Sequence, residues 1–487
     1  MATHPAIRVE HDLLGSLDVP ADAYYGIHTL RAVRNFKVTG RILGDFGQLV
    51  ASLALVKQAA ALANRELGLL GPDQTAALVA ACLEVRAGAL ASQFVVDLVQ
   101  GGAGTSMNLN ANEVLANRAL EILGLDKGSY DVVHPLQDVN RSQSTNDVYP
   151  TALRLATHSL VGDLVAALAL LEEALVDRAE AFAGLVKLGR TQLQDAVPMT
   201  LGQEFRAFAT AVANEQANLL RVAELLLVVN LGGTAIGTGI TAPPAYRDLV
   251  LAHLNALAGG GVTLSPDLID AASDTSAFVS VSAAVRRAAV RVSKISSDLR
   301  LLSSGPRAGF GEINMPAVQS GSSIMPGKVN PVIPELVNQV AFEVMGLDVT
   351  VGCAAESGQL QLNAFEPVIG WALWLSTTHL TAACRALATQ CVLGISANPS
   401  VLRRNAAETT GLLTTLSATL GYEQATSIAL EARRSDRPIG EVVAALGLMT
   451  AAEFGLLSDQ HVDPASFEPV PAAVAASPPG DEGSARG

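Results

Sequence analysis

The chain has 487 residues, of which 49% are hydrophobic and only 16% are charged. A chain of this length leaves room for two or three domains or for one large elongated bundle. The net charge is −14 at pH 7 without a long basic run, which argues against a nucleic-acid partner. Aromatic residues contribute only 4% while Ala, Leu and Val are abundant, and this composition favours helices over sheets.

The cysteines and the apolar runs bear on the cellular compartment of the protein. Four cysteines lack the paired spacing of redox or metal motifs, and they are Cys82, Cys353, Cys384 and Cys391. No apolar signal segment opens the sequence, and no run reaches the roughly 18 consecutive apolar residues of a membrane span. We therefore expect a soluble, cytoplasmic protein with reduced thiols and no membrane partner.

The predicted elements begin with a mixed segment and continue into long helices. Residues 1–149 contain Gly- and Asn-rich turns and are predicted to form an N-terminal domain. From 150 to 397, apolar residues recur at steps of three and four, which predicts a long central helical bundle and an all-α fold. The predicted helices cover 150–178, 205–226, 274–304, 335–353 and 367–394.

Shorter patterns follow the predicted bundle. Helical segments separated by Gly421, Pro438 and Gly447 predict a small C-terminal helical domain over 398–467. Residues 468–487 are rich in Pro, Ala and Gly and are predicted to be a disordered tail. No internal repeat of fixed period is visible.

Four segments between the apolar helices are dense in uncharged hydroxyl and amide groups. They cover 104–108, 142–147, 189–195 and 321–330. The second segment directly precedes the helix predicted to begin at Pro150, because proline suits the first turn of a helix, so we expect Ser144, Thr145 and Asn146 near its positive end. For one segment alone, helix capping is the more economical explanation. Four such segments favour a binding site for a carboxylate.

The segment 321–330 is the most informative of the four. Gly321, Pro326 and Gly327 indicate a flexible loop with defined bends, and Lys328 is its only fixed positive charge. A solvated Gly-Ser linker would not need the apolar residues Ile324 and Val329. The pattern therefore predicts a functional loop.

These residues carry a resemblance to a known family. The run from Gly321 to Pro331, GSSIMPGKVNP, resembles the signature of the aspartase/fumarase superfamily. The other three polar segments resemble the remaining active-site regions in the same order, and the resemblance extends from about residue 8 to about 459. Further stretches are similar to the ammonia-lyase members rather than to the fumarases, and these cover 12–15, 21–26, 191–194 and 360–367.

The resemblance implies a fold, an assembly and a reaction. It implies a central bundle of long helices in a homotetramer, with each active site shared by three subunits. It also implies the reversible elimination of ammonia from L-aspartate to give fumarate, through an enediolate intermediate. No organic cofactor is implied. Some members of the family are activated by Mg²⁺, and the sequence leaves this point open.

The family roles can be carried over residue by residue. Ser322 resembles the catalytic base, and Glu335 resembles a carboxylate behind the site, although helix-dipole stabilisation also explains a glutamate at a helix start. The remaining positions resemble substrate-binding residues. Thr105, Ser144, Thr145 and Ser323 would donate hydrogen bonds to the β-carboxylate. Lys328 and Asn330 would bind the α-carboxylate, and Asn146 and Thr191 would orient the amino group. Ser106 and Gln192 would make further contacts with the substrate.

Gln192 bears on which leaving group the site removes. Many members of the superfamily, fumarases among them, carry a histidine at the matching position, whereas glutamine does not titrate. Departing hydroxide needs a proton donor, but an ammonium group already carries its proton. Glutamine is therefore compatible with deamination and unfavourable for hydration, although it does not exclude another acid.

One part of the family pattern is altered. An accessory anion site with the pattern His-Pro-Asn-Asp reads His134-Pro135-Leu136-Gln137 here, so that site is in doubt and His134 is interpreted as a capping or core histidine. The other histidines are scattered without ligand spacing, and no protein-built metal site is predicted. The alternatives to deamination are fumarate hydration by the same fold and a non-catalytic, crystallin-like relative.

Overall fold

The computed structural model describes residues 6–407, 413, 417 and 420–450. These residues are mainly helical, which confirms the predicted all-α class. The helices are α1 (Ile27–Asn35), α2 (Gly47–Glu66), α3 (Pro72–Arg86), α4 (Thr105–Ile122), α5 (Thr145–Ala181), α6 (Leu201–Ala223), α7 (Tyr246–Ala258), α8 (Ser276–Leu302), α9 (Val332–Glu356), α10 (Glu366–Ala386) and α11 (Pro399–Ala407), followed by the short helices Tyr422–Ser435 and Ile439–Ala445.

The described residues group into two compact units. The first contains 6–174, 209–301 and 316–394, and the second contains 175–208, 302–315 and the described residues from 395 onward. The domain boundaries predicted after 149 and after 397 stay predictions. The predicted tail at 468–487 lies outside the described residues.

Two-stranded sheets accompany the helices, and the apolar periodicity gave no sign of them. β1 (Ile7–Asp12) pairs antiparallel with β2 (Gly15–Pro20), and β3 (Val186–Thr191) pairs antiparallel with β4 (Gln194–Thr200). Two pairs of two-residue strands complete the set, namely β5 (Val228–Val229) with β6 (Thr263–Leu264), and β7 (Ile313–Asn314) with β8 (Ser396–Ala397). Two-stranded sheets this short contribute little to a core, so their sequences need not alternate strictly.

The first unit is held by apolar helix faces. On α8 the seam residues Phe278, Val281, Val285 and Val292 are completely buried. Burying one such side chain stabilises the fold by about 1.5–3 kcal/mol relative to leaving it exposed. The steps of three and four that predicted this helix therefore mark its buried face.

Pro150 lies inside α5 and not in its first turn, because the helix begins five residues earlier than predicted, at Thr145. A proline has no N–H to donate to the carbonyl four residues before it, which here is the carbonyl of Asn146. That carbonyl accepts a hydrogen bond from Asn230 Nδ2 at 2.9 Å. The side chain of Asn230 therefore replaces the missing helical bond, and the helix tolerates the proline.

α9 presents an apolar stripe to solvent. Phe342 and Val349, one heptad apart, are 62% and 64% exposed, and Leu336 is 42% exposed. Among the described helices, α9 is the one that is long and apolar enough to cross a membrane by length and composition alone, which is weak evidence for a span. A stripe of this kind on a 25-residue helix is also typical of a contact between subunits.

Gly104 and Gly124 flank α4, and both have positive φ, +83° and +78° respectively. A Cβ on Gly104 would lie 2.4 Å from the Cγ atom of buried Tyr149, whereas one on Gly124 would have no atom within 4 Å. We expect Gly124→Ala to lower the free energy of unfolding by about 1–2 kcal/mol through backbone strain alone. Gly104→Ala should lower the free energy of unfolding further, by about 1–3 kcal/mol, through overpacking against Tyr149. Denaturant unfolding of both variants measures the difference, and equal losses would contradict the assigned contact.

Candidate active site

The first two polar segments meet at the amino-terminal ends of two helices. Thr105 is the first residue of α4 and Thr145 is the first residue of α5. Asn108, on the first turn of α4, donates through Nδ2 to Thr145 Oγ1 at 2.9 Å. Both helix ends carry unpaired N–H groups and a partial positive charge, so their meeting point favours an anion.

The hydroxyl and amide groups at this meeting point are already partly engaged. Thr105 Oγ1 donates to Gly102 O at 2.6 Å, and Asn146 Nδ2 donates to Ala235 O at 2.7 Å. Ser144 Oγ accepts from the backbone N–H of Asn146 at 3.2 Å, so its own hydrogen stays available. Ser106 lies half-buried on the first turn of α4. Ser144 therefore caps the start of α5, whereas Thr105 and Asn146 donate to loop carbonyls and α4 begins without a side-chain cap.

Asp147 stabilises the first turn of α5, and no role was predicted for it from the sequence. Its carboxylate is completely buried and accepts from the backbone N–H of Ser144 at 3.0 Å, of Gly232 at 3.0 Å and of Thr234 at 2.9 Å. Burial raises the pKa of Asp147 to about 6, and the three backbone donors oppose this rise. The carboxylate thereby ties the start of α5 to the loop around 230–235.

Lys57 lies behind the same turn and was also missed. Its side chain is 1% exposed, and Nζ donates to Asn140 Oδ1 at 2.7 Å and to Gln143 Oε1 at 2.9 Å. Burial lowers the pKa of Lys57 to about 7, and the charge of Asp147 partly offsets this effect. The available signal was a single lysine within the apolar, alanine-rich run of α2.

The 321–330 loop organises itself around Ser322. Ser322 Oγ accepts from the backbone N–H groups of Ile324 at 3.2 Å and Met325 at 3.0 Å. Two amide donors stabilise an alkoxide more strongly than an alcohol, because a hydrogen bond to a charged acceptor is the stronger one. The loop therefore provides what a serine base requires.

The other loop residues divide between structure and solvent. Asn330 Nδ2 donates to Gly321 O at 2.7 Å, and Gly321 N donates to Lys328 O at 2.9 Å, which closes the loop. A Cβ on Gly321 would lie 2.4 Å from Lys328 O, so this close approach requires glycine. The side chains of Ser323 and Lys328 are exposed, together with Ile324 at 83%. The loop thus presents a hydroxyl and an ammonium group to the outside.

Glu335 lies on the first turn of α9, as its predicted stabilisation by the helix dipole requires. Its Oε1 lies 3.9 Å from Arg300 Nη2 on α8, and both side chains are 41% exposed. Asn338, one turn further along α9, accepts from Arg300 at 3.0 Å and donates to Ser293 O at 3.0 Å. These contacts fix the start of α9, which directly follows the loop.

Thr191 and Gln192 lie in the second unit, at the tip of the hairpin formed by β3 and β4. The turn consists of Gln192 and Leu193, both with positive φ, +54° and +61°, and both exposed. Two consecutive left-handed residues are typical of a type I′ turn, which glycine and asparagine usually form. A strained turn that lacks those residues is more common at functional sites than elsewhere.

A buried ionic cluster supports this hairpin within the second unit. Glu312, completely buried, pairs with Lys187 Nζ at 2.7 Å and with Arg190 Nη1 at 2.6 Å. Lys187, 1% exposed, also pairs with Glu204 on α6 at 2.5 Å. Both cations belong to β3, and Arg190 directly precedes Thr191. The cluster therefore fixes the strand that ends at the predicted site residues.

His134 has the capping role that the sequence suggested. Its Nδ1 accepts from the backbone N–H groups of Leu136 at 3.0 Å and Gln137 at 3.3 Å. Burial lowers the pKa of His134, which keeps Nδ1 free to accept. Within the described part of the chain, no group of three or more His, Cys, Asp or Glu side chains is arranged to hold a metal ion.

The predicted residues thus fall into separate groups. Thr105, Ser106, Ser144, Thr145 and Asn146 come together at the ends of α4 and α5. Among the hydrogen bonds and ion pairs of residues 6–407, none joins the 321–330 loop to that group. Within residues 6–407 of one chain, the predicted base therefore has no hydrogen bond to the predicted carboxylate donors at the ends of α4 and α5.

Comparison with known proteins identifies the family. The sequence matches the family described as Lyase over 15–346 and the family described as Fumarase C C-terminus over 412–466. A protein named aspartate ammonia-lyase from Pseudomonas aeruginosa is 53% identical, and the match covers 94% of this chain and 97% of that protein. The chain belongs to the aspartase/fumarase superfamily of lyases.

Solved structures of the superfamily have the same fold. A fumarate lyase:delta crystallin from Brucella melitensis, bound to cobalt, is 52% identical with a TM-score of 0.91, covering 93% of this chain and 98% of that one. A class II fumarase from Schistosoma mansoni is 32% identical with a TM-score of 0.88, covering 94% of this chain and 98% of that one. The predicted superfamily is thereby confirmed.

We expect Glu312→Gln to destabilise this lyase strongly, because the substitution removes the carboxylate from Arg190 and leaves the buried Lys187 with Glu204 as its remaining carboxylate partner. Breaking a buried ion pair from one side typically costs about 3–5 kcal/mol. The matched control is Glu180→Gln, because Glu180 is 70% exposed and lies 3.7 Å from Arg206 on the same unit. This control should change the free energy of unfolding by at most about 1 kcal/mol. Similar losses in the two variants, measured by denaturant unfolding, would show that the buried cluster is not a stabilising anchor.

Proposed function

We propose that this lyase is an aspartate ammonia-lyase that reversibly eliminates ammonia from L-aspartate to give fumarate. The observation that carries the choice of leaving group is Gln192 at the exposed tip of the β3 and β4 hairpin. Glutamine has no proton to lose in the physiological range, so it is a poor acid for a departing hydroxide. The 53% identity to an aspartate ammonia-lyase, against 32% to a class II fumarase, supports the same choice.

The difficult step is removal of a proton from the carbon next to the β-carboxylate. In the proposed mechanism Ser322 Oγ takes this proton as an alkoxide, stabilised by the amides of Ile324 and Met325. The electron pair left on carbon moves into the β-carboxylate and gives an enediolate. Its return forms the double bond of fumarate and breaks the bond to nitrogen, which releases ammonia.

The enediolate carries an additional negative charge, and hydrogen-bond donors must take it up. We assign this role to Thr105, Ser144, Thr145 and Ser323, with Ser106 beside them. The first three stand at the positive ends of α4 and α5. Removing one donor to a developing oxyanion typically costs about 10²–10³ in rate.

The remaining assigned residues position the rest of the substrate. Lys328 and Asn330 would bind the α-carboxylate, and for this Asn330 must release its contact with Gly321 O when the loop closes. Asn146 and Thr191 would orient the amino group. Glu335 stays behind the site as a support for the loop. No organic cofactor is required, because hydrogen-bond donors stabilise the intermediate.

We further propose a soluble, cytoplasmic homotetramer whose active sites each draw on three subunits. The exposed stripe with Leu336, Phe342 and Val349 on α9 supports packing of this helix against another copy. Long helices that pack side by side bury such stripes in a shared bundle. Assembly would also supply a carboxylate-binding turn to each Ser322 loop.

The reaction is tested by ultraviolet monitoring of fumarate with L-aspartate, D-aspartate and L-malate in parallel. Wild-type protein is expected to form fumarate from L-aspartate alone. Turnover of L-malate with no turnover of L-aspartate would identify a fumarate hydratase. No turnover of either substrate by correctly assembled protein would identify a non-catalytic relative.

Ser322→Ala should remove nearly all deamination and leave the assembly intact, because the hydroxyl takes the proton and lies on an exposed loop. The expected loss is at least about 10³ in kcat. The control is Ser320→Ala two residues away, since Ser320 contacts only the backbone of Ser322 at 3.3 Å. Near-normal kcat in Ser322→Ala, with size-exclusion profiles unchanged, would show that another group is the base.

Shared active sites predict complementation between inactive variants. Thr191→Val and Ser322→Ala should each be inactive alone but should regain part of the activity when they are unfolded together and refolded as mixed tetramers. Some sites then draw every functional segment from an unmutated copy. Mass spectrometry verifies that hybrids form. Hybrids as inactive as their parents would mean that each site lies within one chain.

A further inference from the structure

A buried lysine is connected through a chain of side-chain amides to the start of α5, where Ser144 and Thr145 are assigned to the substrate β-carboxylate; these two residues are called the carboxylate-binding turn. Lys57 Nζ donates to Asn140 Oδ1 at 2.7 Å, and the same oxygen accepts from Asn108 Nδ2 at 3.2 Å. Asn108 Nδ2 in turn donates to Thr145 Oγ1 at 2.9 Å. Lys57 and Asn108 are each 1% exposed, so water has little access to these links.

The chemistry of these groups sets the direction of every bond in the chain. A protonated lysine only donates, so the atom of Asn140 that faces it is the amide oxygen. That oxygen only accepts, so Asn108 presents its NH₂ group. An NH₂ group only donates, so Thr145 Oγ1 accepts from it. The hydrogen of the Thr145 hydroxyl is then free to point elsewhere.

Independent contacts give the same amide orientations. Asn140 Nδ2 donates to Gln143 O at 3.3 Å, and Gln143 Nε2 donates to Val139 O and Arg141 O, each at 3.0 Å. These partners are backbone carbonyls, which only accept. The oxygens of Asn140 and Gln143 must therefore face Lys57, as the lysine requires.

We propose that Lys57 is a positioning residue, which acts through Asn140 and Asn108 to make the Thr145 hydroxyl a hydrogen-bond donor toward the substrate β-carboxylate. The inference rests on the proposed function, in which Thr145 contacts that carboxylate. Without the ammonium group, Asn140 loses its shortest hydrogen bond, and the longer bond from its Nδ2 to Gln143 O at 3.3 Å opposes rotation of the amide less strongly. Asn108 can then turn its oxygen toward Thr145, which would use the hydroxyl hydrogen inside the protein and remove it from the site.

The alternative is that Lys57 only stabilises the packing of α2. The two roles differ in how Lys57 and Thr145 depend on each other. A packing role predicts independent effects on kcat/KM, whereas a positioning role predicts strongly non-additive effects. A double-mutant cycle therefore distinguishes them.

The variants for the cycle are Lys57→Met, which keeps the length of the side chain without its donors, and Thr145→Val. In wild type, Thr145→Val is expected to lower kcat/KM for L-aspartate by about 10²-fold, as for loss of one oxyanion donor. In the Lys57→Met background the same substitution should cost less than about threefold, because the donor is already misdirected. Asn108→Asp should reduce the cost in the same way, because its carboxylate oxygens only accept and would take up the Thr145 hydroxyl hydrogen.

The matched control is Asn112→Leu. Asn112 Nδ2 donates to the same Asn140 Oδ1 at the same distance of 3.2 Å and is completely buried, but it has no hydrogen bond to Thr145. In this background Thr145→Val should keep its full cost of about 10²-fold. Circular dichroism and size-exclusion chromatography verify that each variant is folded, and Asn108→Asp carries the test if Lys57→Met does not fold.

The outcomes separate this inference from the proposed function. If wild-type protein forms no fumarate from L-aspartate, the proposed function fails and this inference falls with it. If wild type is active but Thr145→Val costs the same in the Lys57→Met and wild-type backgrounds, only the inference is wrong. An equal reduction in the Asn112→Leu background would also overturn it, because the coupling would then be a general effect of disturbing the buried amides.

Discussion

The meeting of the amino-terminal ends of α4 and α5 is the constraint on which the rest of the site depends. An unpaired buried polar group costs several kcal/mol, so most buried polar groups have partners. Here Lys57 donates to Asn140 behind the turn and Asp147 accepts from the backbone of Ser144 beside it, whereas the buried Oδ1 of Asn108 has no hydrogen-bond partner among the residues that the structure describes. Two opposite buried charges thus hold a turn whose own residues are neutral, and an incoming carboxylate meets fixed dipoles with little reorganisation.

The sequence was sufficient to predict the helical class, because long amphipathic helices repeat one simple pattern, and the superfamily, because the run from Gly321 to Pro331 is specific to it. It did not predict the start of α5. Pro150 indicated a first turn, whereas the side chain of Asn230 permits the proline within the helix. A contact between positions 84 residues apart leaves no local signal. The same reason explains why Lys57 and Asp147 were missed, since their roles depend on partners from other segments.

The tip of the β3 and β4 hairpin has residues that local turn preferences disfavour. Its turn places Gln192 and Leu193 in a conformation that favours asparagine and glycine, at an expected cost of about 1–2 kcal/mol per residue. The buried cluster of Lys187, Arg190 and Glu312 offers the rigid base that such strain requires. Strain of this kind persists only where the surrounding structure fixes the backbone. The location of the turn at residues assigned to substrate binding is therefore consistent with a positioned, non-titrating amide.

Two exposed surfaces of one chain bear on the proposed assembly. In the part of one chain that the structure describes, the 321–330 loop presents hydroxyl and ammonium groups without a hydrogen bond to the residues at the amino-terminal ends of α4 and α5, and α9, which follows the loop, leaves an apolar stripe exposed. Packing of the stripe against another copy would bury its apolar side chains and would also bring the loop to a neighbouring subunit. A separated chain would then hold every catalytic side chain and still lack an active site. Stability of the interface would consequently set the protein concentration at which activity appears.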